Sequence, residues 1–367
     1  MRAAVFTGET PSLTIEEIPR PTPRRGEVLL EVAACGVCHT DLHVMKREVA
    51  FPTPCVLGHE VSGIVAEIGP DVSTVAVGDR VVCAFIMPCG TCRHCVRGHE
   101  DLCETFFGYN RLRGTLYDGE TRLARADGDP LWMYSMGGLA EYCVVPATDV
   151  FAVPDGLDLH DAAVLGCSAF TAFGAVHNVA ELRLGETVAI VATGGIGSAL
   201  VQFAHAAGAG TIIAVDRAAD KLEAAKALGA THTVDASTCD PVAAVRELTG
   251  GRGVDVSFEA LGHPSTFATA VDVLDDGGRA VIVGIAPAGR TGEVDLARIV
   301  RRKLRILGSY GARARSDMPQ LLDLAARGVI RPSELITRRY GLAEADAAYQ
   351  ALSRGEVVGR AVVDMRR

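Results

Sequence analysis

Val188-Ala189-Ile190-Val191-Ala192-Thr193-Gly194-Gly195-Ile196-Gly197-Ser198 reads as a buried strand that breaks at glycines and restarts as a helix. The run 188–192 is short, apolar and rich in β-branched residues, which favours a strand over a buried helix. From Ser198 to Ala207 the pattern turns helical, and Thr211 to Val215 is again β-rich. Strand, helix, strand predicts parallel strands covered by helices. A membrane span is the competing reading, because between Thr187 and Val215 only His205 is ionisable and the stretch is long enough to cross a bilayer. Gly194, Gly195, Gly197, Gly208 and Gly210, with Gln202 and His205 inside the run, favour the buried β-α-β unit, and no membrane partner is expected.

Working outward, the runs Val254 to Phe258 and Ala280 to Gly284 repeat the strand pattern. Up to about Ala147 the chain alternates short Val/Ile-rich runs with turn residues, at Val28 to Val32, Gly63 to Gly69 and Gly78 to Val82. That half reads as mostly β. A chain of 367 residues exceeds one ordinary hydrophobic core, so two closely packed domains are expected. Apolar residues at 49% and charged ones at 22% describe a folded protein rather than a disordered one. The net charge of −9 carries no basic run, which argues against nucleic acid as a partner. Met1-Arg2-Ala3-Ala4-Val5-Phe6 reaches polar residues too soon for a signal peptide, and cytoplasmic residence is the expectation.

In a reducing compartment the eleven cysteines are not a disulfide framework, so their spacing matters. Cys89, Cys92, Cys95 and Cys103 follow two-residue gaps and then seven residues, and four thiolates close a tetrahedral zinc shell with Pro88, Gly90 and Gly98 turning the loop. An iron–sulfur cluster uses other gaps and a proline after the last cysteine, absent here. Such a site is structural, because it leaves the metal no open position. Cys35, Cys55, Cys143 and Cys239 match no ligand pattern and read as small buried apolar residues, as does Cys83.

Three further motifs are weak singly: Gly36-Val37-Cys38-His39-Thr40-Asp41-Leu42-His43, Gly58-His59-Glu60 and Gly166-Cys167-Ser168. Together with the four-cysteine lobe they resemble, over nearly the whole chain, the zinc-containing medium-chain dehydrogenase/reductase family. Arg113 to Gly119 is similar to the extended loop of its liver-type and glutathione-dependent formaldehyde dehydrogenase branch. The resemblance implies an α/β protein: a GroES-like mostly-β catalytic domain over 1–167 and 312–367, and a Rossmann-type parallel-sheet NAD domain over 168–311. It implies an oxidoreductase that interconverts an alcohol and an aldehyde or ketone.

By the same resemblance Cys38, His59 and Cys167 are ligands of a catalytic zinc, with Glu60 able to approach the metal and Asp41 holding the other ring nitrogen of His59. Two thiolates and an imidazole leave a tetrahedral corner open, and zinc makes loss of an alcohol's proton accessible near neutrality. Thr40 and His43 match the family's proton relay; a hydroxyl accepts and donates at once, and histidine titrates near neutrality. Phe85 corresponds to a substrate-pocket residue.

The glycine turn suits a dinucleotide, since backbone amides at a helix start face a pyrophosphate. Gly194, Gly195, Ile196 and Gly197 form it, while Ala192 stands where the family has its first glycine, and its methyl group calls for an ordinary backbone angle. Asp216, nineteen residues beyond Gly197, suits the ribose hydroxyls of NAD and repels a 2′-phosphate; Arg217 would attract one, which keeps NADP as the alternative. Lys221 resembles a second ribose contact, His39 and Arg360 pyrophosphate contacts, and Thr171 a nicotinamide-side contact. Two other functions stay open: reduction of an activated C=C or C=N bond, where the relay matters less, and non-catalytic NAD binding, which needs no open metal. Family behaviour implies a homo-oligomer, a dimer before a tetramer, with a sheet edge around Ala280 to Ile285 as the seam.

Overall fold

The computed structural model describes residues 1–367 and divides into two compact units, Met1–Phe170 with Arg313–Arg367, and Thr171–Ala312. The framework runs β1 (Glu27–Val37), α1 (His39–Met45), β2 (Val61–Ile68), β3 (Arg80–Cys83), β4 (Tyr142–Pro146), β5 (Val150–Ala152), β6 (Thr187–Val191), α2 (Gly195–Ala206), β7 (Thr211–Asp216), α3 (Ala219–Ala227), β8 (His232–Asp235), β9 (Val254–Glu259), β10 (Leu274–Ile282), β11 (Arg305–Gly308), β12 (Ile336–Gly341), α4 (Ala345–Ser353) and β13 (Arg360–Asp364).

In the first unit the larger sheet is ordered β5-β3-β2-β1-β13-β12, with β4 also paired to β1. Its pairs are antiparallel except β12 with β13. β1 is the hub, because Val28, Leu29, Leu30 and Val32 are all buried. Each such side chain contributes about 1.5–3 kcal/mol by leaving water. A second sheet of five short strands joins Arg2–Phe6 and Leu13–Glu17 to Cys55–Val56, Pro130–Met133 and Leu123–Ala124.

The second unit is a six-stranded parallel sheet ordered β8-β7-β6-β9-β10-β11. Its core joins Ala189, Ile213, Val234, Val254 and Ala280 from the strands with Val245 and Val271 from covering helices. The order reverses between β6 and β9, and in such sheets ligands gather beyond the strand ends at that point. The apolar stretch 187–215 is β6, α2 and β7, and no single helix of the protein is long and apolar enough to cross a membrane.

Three expectations are corrected. The strand holding Ala280 is not an edge: β10 is paired on both sides, and the edge on that side of the sheet is β11, opposite the β8 edge, because Arg305–Gly308 adds a short strand whose period is too brief to read from its residues. Ala192 does not keep an ordinary backbone angle; its φ is +73°, in the left-handed region, imposed by the turn from β6 into α2. Cys239 is exposed, in the polar turn after β8, whereas Cys35, Cys55, Cys83 and Cys143 are buried.

Candidate active site

Cys38, His59, Glu60 and Cys167 offer ligand atoms that all lie within 4.8 Å of one another, and all four residues are buried. Cys38 is the residue before α1, with extended backbone at φ −120° and ψ 148°. His59 and Glu60 follow Gly58, whose φ is +97° and whose Cβ would fall 2.7 Å from the Leu139 backbone nitrogen, so only glycine fits. Cys167 ends the short turn Ala163–Gly166, which is anchored where Phe85 N donates to Gly166 O at 2.9 Å.

His59 Nδ1 donates to Asp41 Oδ1 at 3.0 Å, since a carboxylate only accepts. Its Nε2 is buried without a hydrogen-bond partner, as are both Glu60 oxygens. Arg360 lies 3.2 Å from Glu60 Oε1 and donates to Val37 O at 3.3 Å. The Cys167 thiol holds that of Cys38 well below its usual range; burial opposes this, while Arg360 and His59 add to it. Burial works against charge on His59, but Asp41 and Cys38 reverse that and push its pKa well up. Burial pushes Glu60 up to about 7, against the pull of Arg360. Sulfur and imidazole donors in a dry pocket that favours positive charge fit a borderline-soft dication such as zinc.

Thr40 Oγ1 lies 3.5 Å from Cys38 Sγ, and His43 follows three residues on along α1, half-buried, with its Nδ1 against Glu48 Oε2. Glu48 had no signal in the sequence, since an exposed glutamate in a turn looks like any other. Phe85 stands edge-on to His59 with ring centres 6.1 Å apart, and Tyr134 does the same at 6.3 Å. Phe51 packs on Tyr134 at 4.8 Å and Phe170 on Phe85 at 6.3 Å. Of this aromatic wall only Phe85 was foreseen; the others come from segments remote in sequence. His39 is exposed on α1, and Arg360 is buried on β13.

The sulfurs of Cys89, Cys92, Cys95 and Cys103 also lie within 4.8 Å of one another. Backbone N–H groups of Cys92 and Thr91 donate to Cys89 Sγ, and those of Cys89 and Phe106 to Cys103 Sγ, at 3.3–3.5 Å. Burial raises the Cys89 pKa, but hydrogen bonds from Thr105, Thr91 and Cys92 outweigh it and bring the thiol down to about 6. Donors aimed at sulfur suit thiolates around a metal.

In the second unit, Gly194 caps α2 and Gly197 packs its first turn against β6. Asp216, at the end of β7, accepts from Thr193 N at 2.7 Å with one oxygen and from Arg217 N at 2.7 Å with the other. Its carboxylate therefore braces the glycine turn, a role not visible in the sequence. Arg217 is exposed, Lys221 half-buried on α3, and Thr171 buried.

Two family models match the chain: an alcohol dehydrogenase GroES-like domain over residues 24–155 and a zinc-binding dehydrogenase over 195–327. The chain is 36% identical over 360 residues to an NDMA-dependent alcohol dehydrogenase of Amycolatopsis methanolica, covering 97% of this chain and 96% of that one. It is 34% identical to the S-(hydroxymethyl)glutathione dehydrogenase of Synechocystis, over 97% and 98% of the two chains. The crystal structure of benzyl alcohol dehydrogenase from Acinetobacter calcoaceticus superposes with a TM-score of 0.93 at 30% identity, over 99% of each chain. This protein therefore belongs to the zinc-containing medium-chain dehydrogenase/reductase family, and it is an oxidoreductase of the alcohol–carbonyl couple.

Proposed function

We propose that this enzyme passes a hydride between an alcohol carbon and NAD, with residues 1–167 and 312–367 as the catalytic domain and 168–311 as the nucleotide domain. Cys38, His59 and Cys167 hold a zinc ion, with Glu60 within reach, and the ion supplies the Lewis acidity that lets an alcohol lose its proton near neutral pH. Asp41 fixes the ring of His59. Phe51, Phe85 and Tyr134 keep bulk water off the reacting carbon. Thr40 Oγ1 would take the alcohol's proton while giving up its own, and His43, its Nδ1 held by Glu48, would be the outer acceptor at Nε2, with the nicotinamide ribose as the link between them that the family resemblance implies. The four sulfurs of Cys89, Cys92, Cys95 and Cys103 hold a second zinc that stiffens their loop and leaves no position for substrate.

On the nucleotide side, backbone amides of Gly194 to Gly197 at the start of α2 receive the pyrophosphate, and Asp216 and Lys221 the adenosine ribose, with Arg217 at its edge. The negative charge of Asp216 favours NAD over NADP. Thr171, His39 and Arg360 complete the cofactor contacts. The free edge of β11 suits pairing with a second copy as a homodimer. Eleven free cysteines suit the reducing cytoplasm.

The observation that carries this reading is the convergence of four buried donors within 4.8 Å with His59 Nε2 unpartnered. Purified protein mixed with NAD and a panel of primary alcohols should form NADH, followed by its near-ultraviolet absorbance, and a strong chelator should stop it. Cofactor binding without turnover, or turnover indifferent to removal of the metal, would overturn the proposal.

A further inference from the structure

Tyr349 lies on α4, far from every motif that marks the metal pocket, and it is fully buried. Its hydroxyl donates to Asp41 Oδ2 at 2.9 Å. The other oxygen of the same carboxylate accepts from His59 Nδ1 at 3.0 Å and from Gly58 N at 3.2 Å. Both Asp41 and His59 are inaccessible to solvent, so no bulk water can replace a lost partner. We infer that Tyr349 is a positioning residue for the metal site: its hydroxyl locks the Asp41 carboxylate, which in turn holds the His59 ring with Nε2 turned to the ion.

His59 Nδ1 and Gly58 N both hold Oδ1 and leave the carboxylate its rotation about the Cβ–Cγ bond, which would shift the acceptor that orients the His59 ring. Tyr349 pins the second oxygen from a different element, α4, so the orientation of His59 is set jointly by α1 and α4. Burial, with Asp41 adding to it, pushes the Tyr349 pKa well above its ordinary value, so the phenol remains a donor. Partners one step behind a metal ligand typically change metal affinity by about 10–100-fold, and a group one step further back should fall at the lower end of that range.

This inference rests on Cys38, His59 and Cys167 holding zinc, and the test separates the two. Zinc content of the wild-type protein decides the metal site itself; absence of the second ion would sink that reading first. Given a loaded wild type, Tyr349→Phe should release the catalytic zinc to a chromogenic chelator about tenfold faster, and should change the visible absorption of the cobalt-substituted protein. On an Asp41→Asn background the same substitution should add less than about twofold, because the hydroxyl acts through that carboxylate. A Phe variant that melts at a lower temperature while zinc release and the cobalt spectrum stay as in wild type would make Tyr349 a packing residue and overturn the inference. Where the Phe variant does not fold, 3-fluorotyrosine placed at 349 keeps ring and hydroxyl and sharpens the donor. Slower zinc release is then expected, and an unchanged rate overturns the inference equally.

Discussion

The carbonyl oxygen of Ala192 stands where a side chain on Gly197 would begin: a Cβ built on Gly197 falls 2.0 Å from it. The close approach draws α2 onto the end of β6, and Ala192 achieves it by entering the left-handed region at φ +73°. The methyl group of Ala192 is thus tolerated at a cost. Ala192→Gly should stabilise the protein by about 1 kcal/mol, measured as a higher melting temperature. Gly197→Ala forces the backbone apart and should weaken NAD binding at least tenfold, about 1.4 kcal/mol, by calorimetric titration. Equal affinity for NAD in the Gly197→Ala protein would mean that this turn does not carry the pyrophosphate.

Asp216 braces Thr193 and Arg217 through their N–H groups, and under the proposed function it also sets a negative charge beside the adenosine ribose. Asp216→Ser should therefore lower kcat/KM with NAD and raise it with NADP, since the repulsion is gone and Arg217 remains. Loss with both cofactors alike would assign Asp216 to bracing alone.

The four-cysteine lobe should behave as a stability element. Cys95→Ser is expected to lose one zinc ion per chain, by elemental analysis, and to shorten the half-life of activity at elevated temperature, while initial rates in the cold stay near those of wild type. A cold rate reduced as severely as by Cys38→Ser would place chemistry at the lobe.

Asp149 is fully buried, and burial pushes its pKa well above the ordinary carboxylate range. The folded chain then keeps a proton that the unfolded chain releases near pH 3.9. Its contribution to stability is greatest in acid and falls as pH rises from about 4 toward the folded pKa. Relative to wild type, Asp149→Asn should gain stability with pH by up to about 1.4 kcal/mol per unit. Urea midpoints of both proteins at pH 5 and pH 6 check this; a difference that does not change with pH would mean that Asp149 ionises alike in both states.

Local patterns were legible in the residues alone. The β-α-β unit around Gly194 could be read because strand, glycine turn and helix each depend on neighbours a few residues away. The Cys89 to Cys103 lobe could be read because its gaps set how one loop folds on itself, and the four sulfurs do lie together. Cys38, His59 and Cys167 became legible as a set through family resemblance, since nothing local ties three segments so far apart.

What the letters left open depends on contacts between distant segments. Tyr349 and Glu48 carry no local signal, because a tyrosine in an amphipathic helix and a glutamate in a turn become partners of Asp41 and His43 only once the chain has folded. The aromatic wall of Phe51, Tyr134 and Phe170 has the same origin. The conformation of Ala192 and the free edge at β11 were likewise decided by packing and pairing. Propensity and spacing act over a few residues, whereas burial, backbone strain and hydrogen-bond partnership are properties of the packed whole, and these set the orientation of His59.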